Sequence, residues 1–156
     1  MGIKQQKTKE QALLKLTALC AKSEHCKEDI RQKMRRWEID DDTQEEILQY
    51  LIKERYIDEE RYTRAFIRSK FTYNKWGKYK IEQALYAKRI SKDIYAPLLA
   101  DIEDNDFTKA LMPLLLNKNK SIKADSDYER RGKLTRFALQ RGFSMKQALS
   151  CIDKII

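Results

Sequence analysis

Glycine and proline are almost missing, with 4 and 2 among 156 residues, and valine does not occur at all. Strands draw on β-branched and aromatic residues and turn at Gly and Asn, so these shortages argue against a sheet. The four glycines (Gly2, Gly77, Gly132 and Gly142) are scattered. No phosphate-binding loop or dinucleotide fingerprint can be assembled from them, no cofactor is expected, and any ATP hydrolysis must belong to a partner. One histidine, His25, excludes multi-histidine metal sites. It lies beside Cys26 and near Cys20, but a closed zinc site needs four ligands and no second close pair exists, so metal is expected at none of these positions. The acidic run Asp40-Asp41-Asp42 lies in a connection just before a helix, where negative charge stabilises the N-terminus. Adjacent Asp side chains also diverge, which disfavours shared cation binding. Catalysis therefore has no constellation to stand on, and no enzyme is expected.

Three cysteines, Cys20, Cys26 and Cys151, form an odd set without framework spacing, which fits reduced thiols. The opening Met1–Lys7 lacks the apolar run of a signal peptide, and no stretch approaches the ~18 apolar residues of a membrane span. The expectation is a soluble, intracellular protein.

What is plentiful is charge: 37% of residues, against ~25% in typical domains. Leu, Ala, Lys, Glu, Gln and Arg dominate, side chains that lose little freedom in a helix. The net charge of +9 is unevenly spread. Residues 1–58 carry 12 basic and 12 acidic side chains, residues 59–103 carry 10 and 6, and residues 104–156 carry 11 and 6. All the excess lies in the last two-thirds, which favours polyanions or an acidic protein as partner.

A helical unit is written three times. The windows Asp29–Ile39, Lys80–Ile90 and Lys133–Phe143 align without gaps. Ile30, Ile81 and Leu134 correspond, as do Met34, Leu85 and Ala138, one helical turn further on, so both sets bury the same face. Ile39, Ile90 and Phe143 follow just past the helix end as plugs. Thr43, Ser91 and Ser144 are placed to cap the next helix, Thr43 with Glu46 and Ser144 with Gln147 at capping-box spacing. Gly142 sits where a helix ends with positive φ. The preceding helix recurs as well, Tyr62–Phe66 resembling Phe107–Leu111 behind acidic residues suited to helix N-termini. The expected fold is all-α: three tandem three-helix repeats over 5–58, 59–103 and 104–156, forming an elongated, curved array. Pro97 and Pro113 are expected to kink or restart their helices. Asn117–Ser126 reads as a mobile loop, and Lys4 and Lys7 as part of a frayed N-terminus.

Between Arg61 and Arg89 cations and rings interleave. Arg61, Arg64 and Arg68 form one helical stripe, with Tyr62, Ala65, Phe66 and Ser69 on the neighbouring face and its rings toward the core. Lys70, Lys75, Trp76, Lys78 and Lys80 follow, with Phe71, Tyr73 and Tyr79 among them, and then Lys88 and Arg89. The third repeat adds Arg130, Arg131, Lys133, Arg136 and Arg141. This pattern suits nucleic-acid phosphates with rings available for stacking. It equally suits an acidic protein groove anchored by Tyr, Trp and Arg.

The order and spacing of these features resemble the RecX regulatory family over about residues 10–156. The likeness is carried by Tyr56–Tyr62 opening the second repeat, by Gly77, Ile81, Leu85 and Ile90, and by Arg141-Gly142-Phe143-Ser144 in the third. Lys88-Arg89-Ile90 departs from the family's usual glycine before the apolar plug. The resemblance implies a cytoplasmic bacterial protein lying in the groove of a filament of RecA recombinase on single-stranded DNA. It would modulate, mainly inhibit, ATPase, strand-exchange and co-protease activities in repair and SOS control. DNA would be met directly or through RecA, without a membrane and with the chain a monomer. The alternative is a helix-turn-helix transcription regulator, invited by the Arg-rich helix Arg31–Arg36. Against it stand the neutral first repeat and the lack of a dimerisation helix to set half-site spacing.

Overall fold

The computed structural model describes residues 7–156. Among them lie nine helices and no strand: α1 (Lys9–Lys22), α2 (Lys27–Arg36), α3 (Asp41–Lys53), α4 (Glu59–Thr72), α5 (Lys78–Ala87), α6 (Lys92–Ala100), α7 (Asp104–Ser121), α8 (Asp127–Gln140) and α9 (Met145–Ile152). The fold is all-α and built of tandem three-helix repeats. Each window's first two apolar positions are fully buried, Ile30, Ile81 and Leu134 one turn before Met34, Leu85 and Ala138, and the plugs Ile39, Ile90 and Phe143 are buried too. The residue before each plug takes a left-handed backbone: Glu38 at φ 56°, Arg89 at 57° and Gly142 at 96°. A side chain costs roughly 1–2 kcal/mol in that region, so two repeats keep the turn without the glycine that favours it.

By compactness the chain divides into one unit running to Ala65 with Lys88–Ile90, and another of Phe66–Ala87 with Ser91–Ile156. The first has its own core. Ala12, Leu16 and Cys20 of α1 meet Ile30 and Met34 of α2 and Ile47, Leu48 and Leu51 of α3, closed by Ile39 and Ile57. These positions recur at three and four residues, which gives each helix one apolar face. In the second unit Phe107 stands edge-on to Phe71 at 5.3 Å and to Phe143 at 6.4 Å between ring centroids. Gln147 is buried there and satisfied, accepting from the Ser144 N–H and donating to Asp104 Oδ1 at 2.7 Å.

Several expectations are corrected. Asp40, not Thr43, caps α3: its carboxylate accepts from the Thr43 N–H at 3.1 Å and from the Thr43 hydroxyl at 2.7 Å. Asp41 and Asp42 lie in the first turn of α3, and Glu46 pairs with Lys9 instead of closing a box. Ser91 and Ser144 do cap, Ser144 with a complete box to Gln147. Of the two outcomes expected at Pro97 and Pro113, a restart is excluded, since α6 and α7 each run on through the proline. The polar stretch 117–126 is helical through Ser121, which shortens the loop to 122–126. On α4 the buried residues are Tyr62, Thr63 and Ile67, while Ala65 is exposed. Thr63 satisfies its hydroxyl on the Glu59 carbonyl at 2.6 Å and so tolerates burial. Lys7 is held, its N–H on the Trp37 carbonyl at 3.4 Å and its ammonium 5.2 Å from the Trp37 ring; Lys4 lies outside the described residues.

Candidate functional site

The fifteen residues singled out by charge and ring pattern separate into three groups. The first is committed to the fold. Arg61 reaches Glu24 at 2.6 Å and also donates to the Arg55 carbonyl, tying the start of α4 to the turn after α1. Arg64 pairs with Glu60 one turn back at 2.6 Å. Lys88 meets Asp29 at 2.6 Å, and Arg89 approaches Glu28 at 3.8 Å. Glu28 is only 6% exposed and also takes Arg35 at 3.3 Å. A buried carboxylate needs such cations, because desolvation penalises its charge. The pair Lys88–Arg89 thus neutralises the acidic first turn of α2. Burial pushes the Asp29 carboxyl up, but bonds from Lys88 and the Cys26 N–H outweigh it and leave the group lowered.

The third repeat's committed residues are Arg130, Arg131 and Arg141. Arg130 caps α7 by donating to the Asn119 carbonyl at 3.1 Å and side-chain oxygen at 2.9 Å. Arg131 pairs with Asp153 at 2.6 Å. Arg141 donates to the Asn74 carbonyl at 2.6 Å and locks the turn after α8 onto the turn after α4. Backbone bonds reinforce that joint, from Gly77 N–H to the Arg141 carbonyl at 2.7 Å and from Tyr79 N–H to the Gly142 carbonyl at 3.0 Å.

The second group surrounds a ring. Trp76 is half-buried with the ammonium groups of Lys70 and Lys80 at 4.9 and 4.7 Å from its ring. Cations so placed are attracted to the ring's negative face, and they leave Trp76 poorly placed to stack on a base.

The third group holds available charge. Arg68, Lys75, Lys78 and Arg136 are exposed, and no carboxylate lies in ion-pair range of them among the described residues. Lys133 is half-buried, donating to the Lys123 carbonyl at 2.6 Å and pairing with Glu129 at 3.3 Å. The structure leaves open two rings of the interleaved run, Tyr73 and Tyr79, and adds Tyr86, which the sequence pattern missed. Tyr73, Tyr79 and Tyr86 are 80%, 54% and 77% exposed, and Tyr79 and Tyr86 lie seven residues apart on one face of α5. Tyr86 stands outside the basic run, so only the helical register of α5 could have found it. Lys118, helical rather than in a loop, and Lys123, in the loop just beyond α7, line a groove with Lys133 and Arg136.

His25, Cys20 and Cys26 do not assemble a metal site. The His25 Nδ1 faces the Ser23 carbonyl at 2.9 Å, both thiols are buried, and no cluster of three potential ligands occurs among the described residues. Among those residues, too, no helix is long and apolar enough to cross a membrane.

Family models describe residues 58–96 as the second three-helix domain of RecX and residues 105–152 as the third. The chain belongs to the RecX family. It is 29% identical over 133 residues to the regulatory protein RecX of Prosthecochloris aestuarii, covering 85% of each chain. With the RecX of Chlorobium phaeobacteroides the identity is 27% over 137 residues, 88% of each. The fold matches a crystal structure of a regulatory protein RecX at a TM-score of 0.86, with 19% identity, over 93% of this chain and 73% of that one. It also matches RecX from Lactobacillus salivarius at 0.82, again 19% identical, over 94% and 96%.

Proposed function

We propose that this RecX-family chain is a non-catalytic, cytoplasmic regulator that binds the RecA–single-stranded-DNA filament as a monomer and opposes the motions of ATP hydrolysis, strand exchange and co-protease action. Its modules are the three-helix repeats over 5–58, 59–103 and 104–156. Curated relatives carry the name regulatory protein RecX, which supports a regulatory role. The observation that carries the reading is the set of uncommitted cations Arg68, Lys75, Lys78 and Arg136. A charge already neutralised within the chain adds little to a complex, whereas a free one attracts acidic protein or phosphate. Tyr73, Tyr79 and Tyr86 supply exposed rings beside those of the second repeat, suited to bases or to a protein groove.

Free DNA binding should be weak, sequence-tolerant and salt-dependent. If about five cations meet a single strand, the log–log slope against salt is about −3.5, so fourfold more salt costs about a hundredfold in affinity. The test is capture of the chain on RecA filaments assembled with single-stranded DNA and nucleotide, compared with RecA alone and DNA alone. Retention on the filament beyond either component supports the reading. Retention only on a palindromic duplex at nanomolar concentration would replace it with a helix-turn-helix regulator.

A further inference from the structure

We propose that the groove between the end of α7 and the exposed face of α8 is a phosphate-binding site, formed by Lys118, Lys123, Lys133 and Arg136. Because α7 continues past Lys118 to Ser121, Lys118 and Lys123 are carried opposite Lys133, Arg136, Phe137 and Gln140. The last four recur at i, i+3, i+4 and i+7, one face of α8. The groove is open to solvent and offers about 360 Å³. No carboxylate lines it. Glu129, one turn from Lys133 on α8, is bonded to Lys133 at 3.3 Å and to the Asp125 N–H at 3.1 Å.

A helix C-terminus ordinarily repels anions through its exposed carbonyls. Here two of the last four in α7 are covered, and so is the Lys123 carbonyl just beyond it. Arg130 donates to the Asn119 carbonyl, the Ser121 hydroxyl to that of Lys118 at 2.9 Å, and Lys133 to that of Lys123 at 2.6 Å. What faces the groove is therefore positive: Glu129 offsets Lys133 alone, and the remaining excess of like charge from Lys118, Lys123 and Arg136 is an unfavourable arrangement that an anion relieves. Phe137 has the Lys118 ammonium at 5.5 Å and the Arg141 guanidinium at 5.7 Å from its ring. Its ring is thus engaged, and the ligand is recognised by its phosphate oxygens rather than by stacking. A nucleic-acid backbone and a free nucleoside polyphosphate share that chemistry.

The test is thermal melting of the full chain in sodium pyrophosphate against sodium chloride at matched ionic strength, with oligo(dT) and ATP binding measured in parallel. The variants are Lys123→Gln with Arg136→Gln, Lys118→Gln alone, and the control pair Lys109→Gln with Lys146→Gln, two exposed cations elsewhere. Pyrophosphate should raise the melting temperature of wild type and control. The rise should shrink with Lys118→Gln and vanish in the groove pair, which without anion should melt no lower than wild type. If the groove takes a strand, the groove pair also loses about 1.4 from the salt slope of oligo(dT) binding. If it takes a free polyphosphate, ATP binding falls and oligo(dT) binding stays. An equal pyrophosphate response in all four proteins, or none in wild type, overturns the site. The groove's chemistry is independent of RecA: a chain that leaves RecA untouched yet responds to pyrophosphate in this pattern keeps the groove and loses the filament reading.

Discussion

Replacing Gly77 by alanine deletes no contact, yet it should be among the most damaging single changes in the chain. A Cβ there would stand 2.3 Å from the Gly142 carbonyl carbon and the Phe143 nitrogen, both backbone atoms without a rotamer to yield. The turns after α4 and α8 must then part. That lengthens the bonds from Gly77 N–H to the Arg141 carbonyl and from Tyr79 N–H to the Gly142 carbonyl. Two hydrogen bonds at about 1 kcal/mol each, with about 1–3 kcal/mol for overpacking, give a loss of about 3–5 kcal/mol. In a chain of this size each kcal/mol moves the melting temperature by about 2–4 °C, so the fall should be roughly 10 °C. Gly132→Ala is the matched opposite. It lies inside α8, an added Cβ meets nothing within 4 Å, and alanine should stabilise by about 1 kcal/mol through helix propensity. Circular dichroism melting of both variants against wild type decides the matter. If Gly77→Ala melts within about 2 °C of wild type, the close backbone joint does not exist as described.

Asp29→Asn should destabilise by about 1.5–3 kcal/mol at neutral pH through loss of the charge-assisted bond to Lys88. Because the folded carboxyl is lowered, its contribution is present above the unfolded value of about 3.9 and is lost as pH falls through the folded value. Urea titrations should therefore show the wild-type advantage shrinking below about pH 4, and an advantage that grows with acid would contradict the pairing. Burial pushes the Cys26 thiol up to about 11, despite a bond from the Asp29 backbone that lowers it, and also raises Cys20 and Cys151. Ellman's reagent at pH 8 should leave all three unlabelled in the native chain and label them in guanidinium; fast native labelling of Cys26 would refute its burial.

The repeat was readable because its signal is periodic: Ile30, Ile81 and Leu134 share one job at one spacing, and that job is core packing. The turn register also survived the missing glycine at Arg89, since the plug Ile90 and the pairs to Glu28 and Asp29 hold the frame. What could not be read were choices that depend on distant neighbours. Asp40 and Thr43 are both good caps, and nothing local ranks them. The stretch from Asn117 looks like a loop until Arg130 arrives to cap its carbonyls. The same holds for the site. Cations were legible as a class, but whether each is free depends on acids elsewhere, Glu24 for Arg61, Asp29 for Lys88 and Asp153 for Arg131. Trp76 was the conspicuous ring, and the structure pins it while leaving Tyr73, Tyr79 and Tyr86 open.

The filament reading is tested most directly by single-stranded-DNA-dependent ATP hydrolysis by RecA, titrated with the chain and with charge reversals at uncommitted cations. Lys75→Glu with Lys78→Glu, and separately Arg68→Glu with Arg136→Glu, remove no ion pair of the fold. Lys22→Glu with Lys53→Glu serves as a control in the first repeat, once circular dichroism shows that all are folded. Wild type and control should suppress hydrolysis, and each test pair should need at least about tenfold more protein, equivalent to about 1.4 kcal/mol of lost binding. No suppression by wild type at several-fold excess over filament subunits would contradict the proposed function, and equal suppression by every variant would contradict the assigned surface.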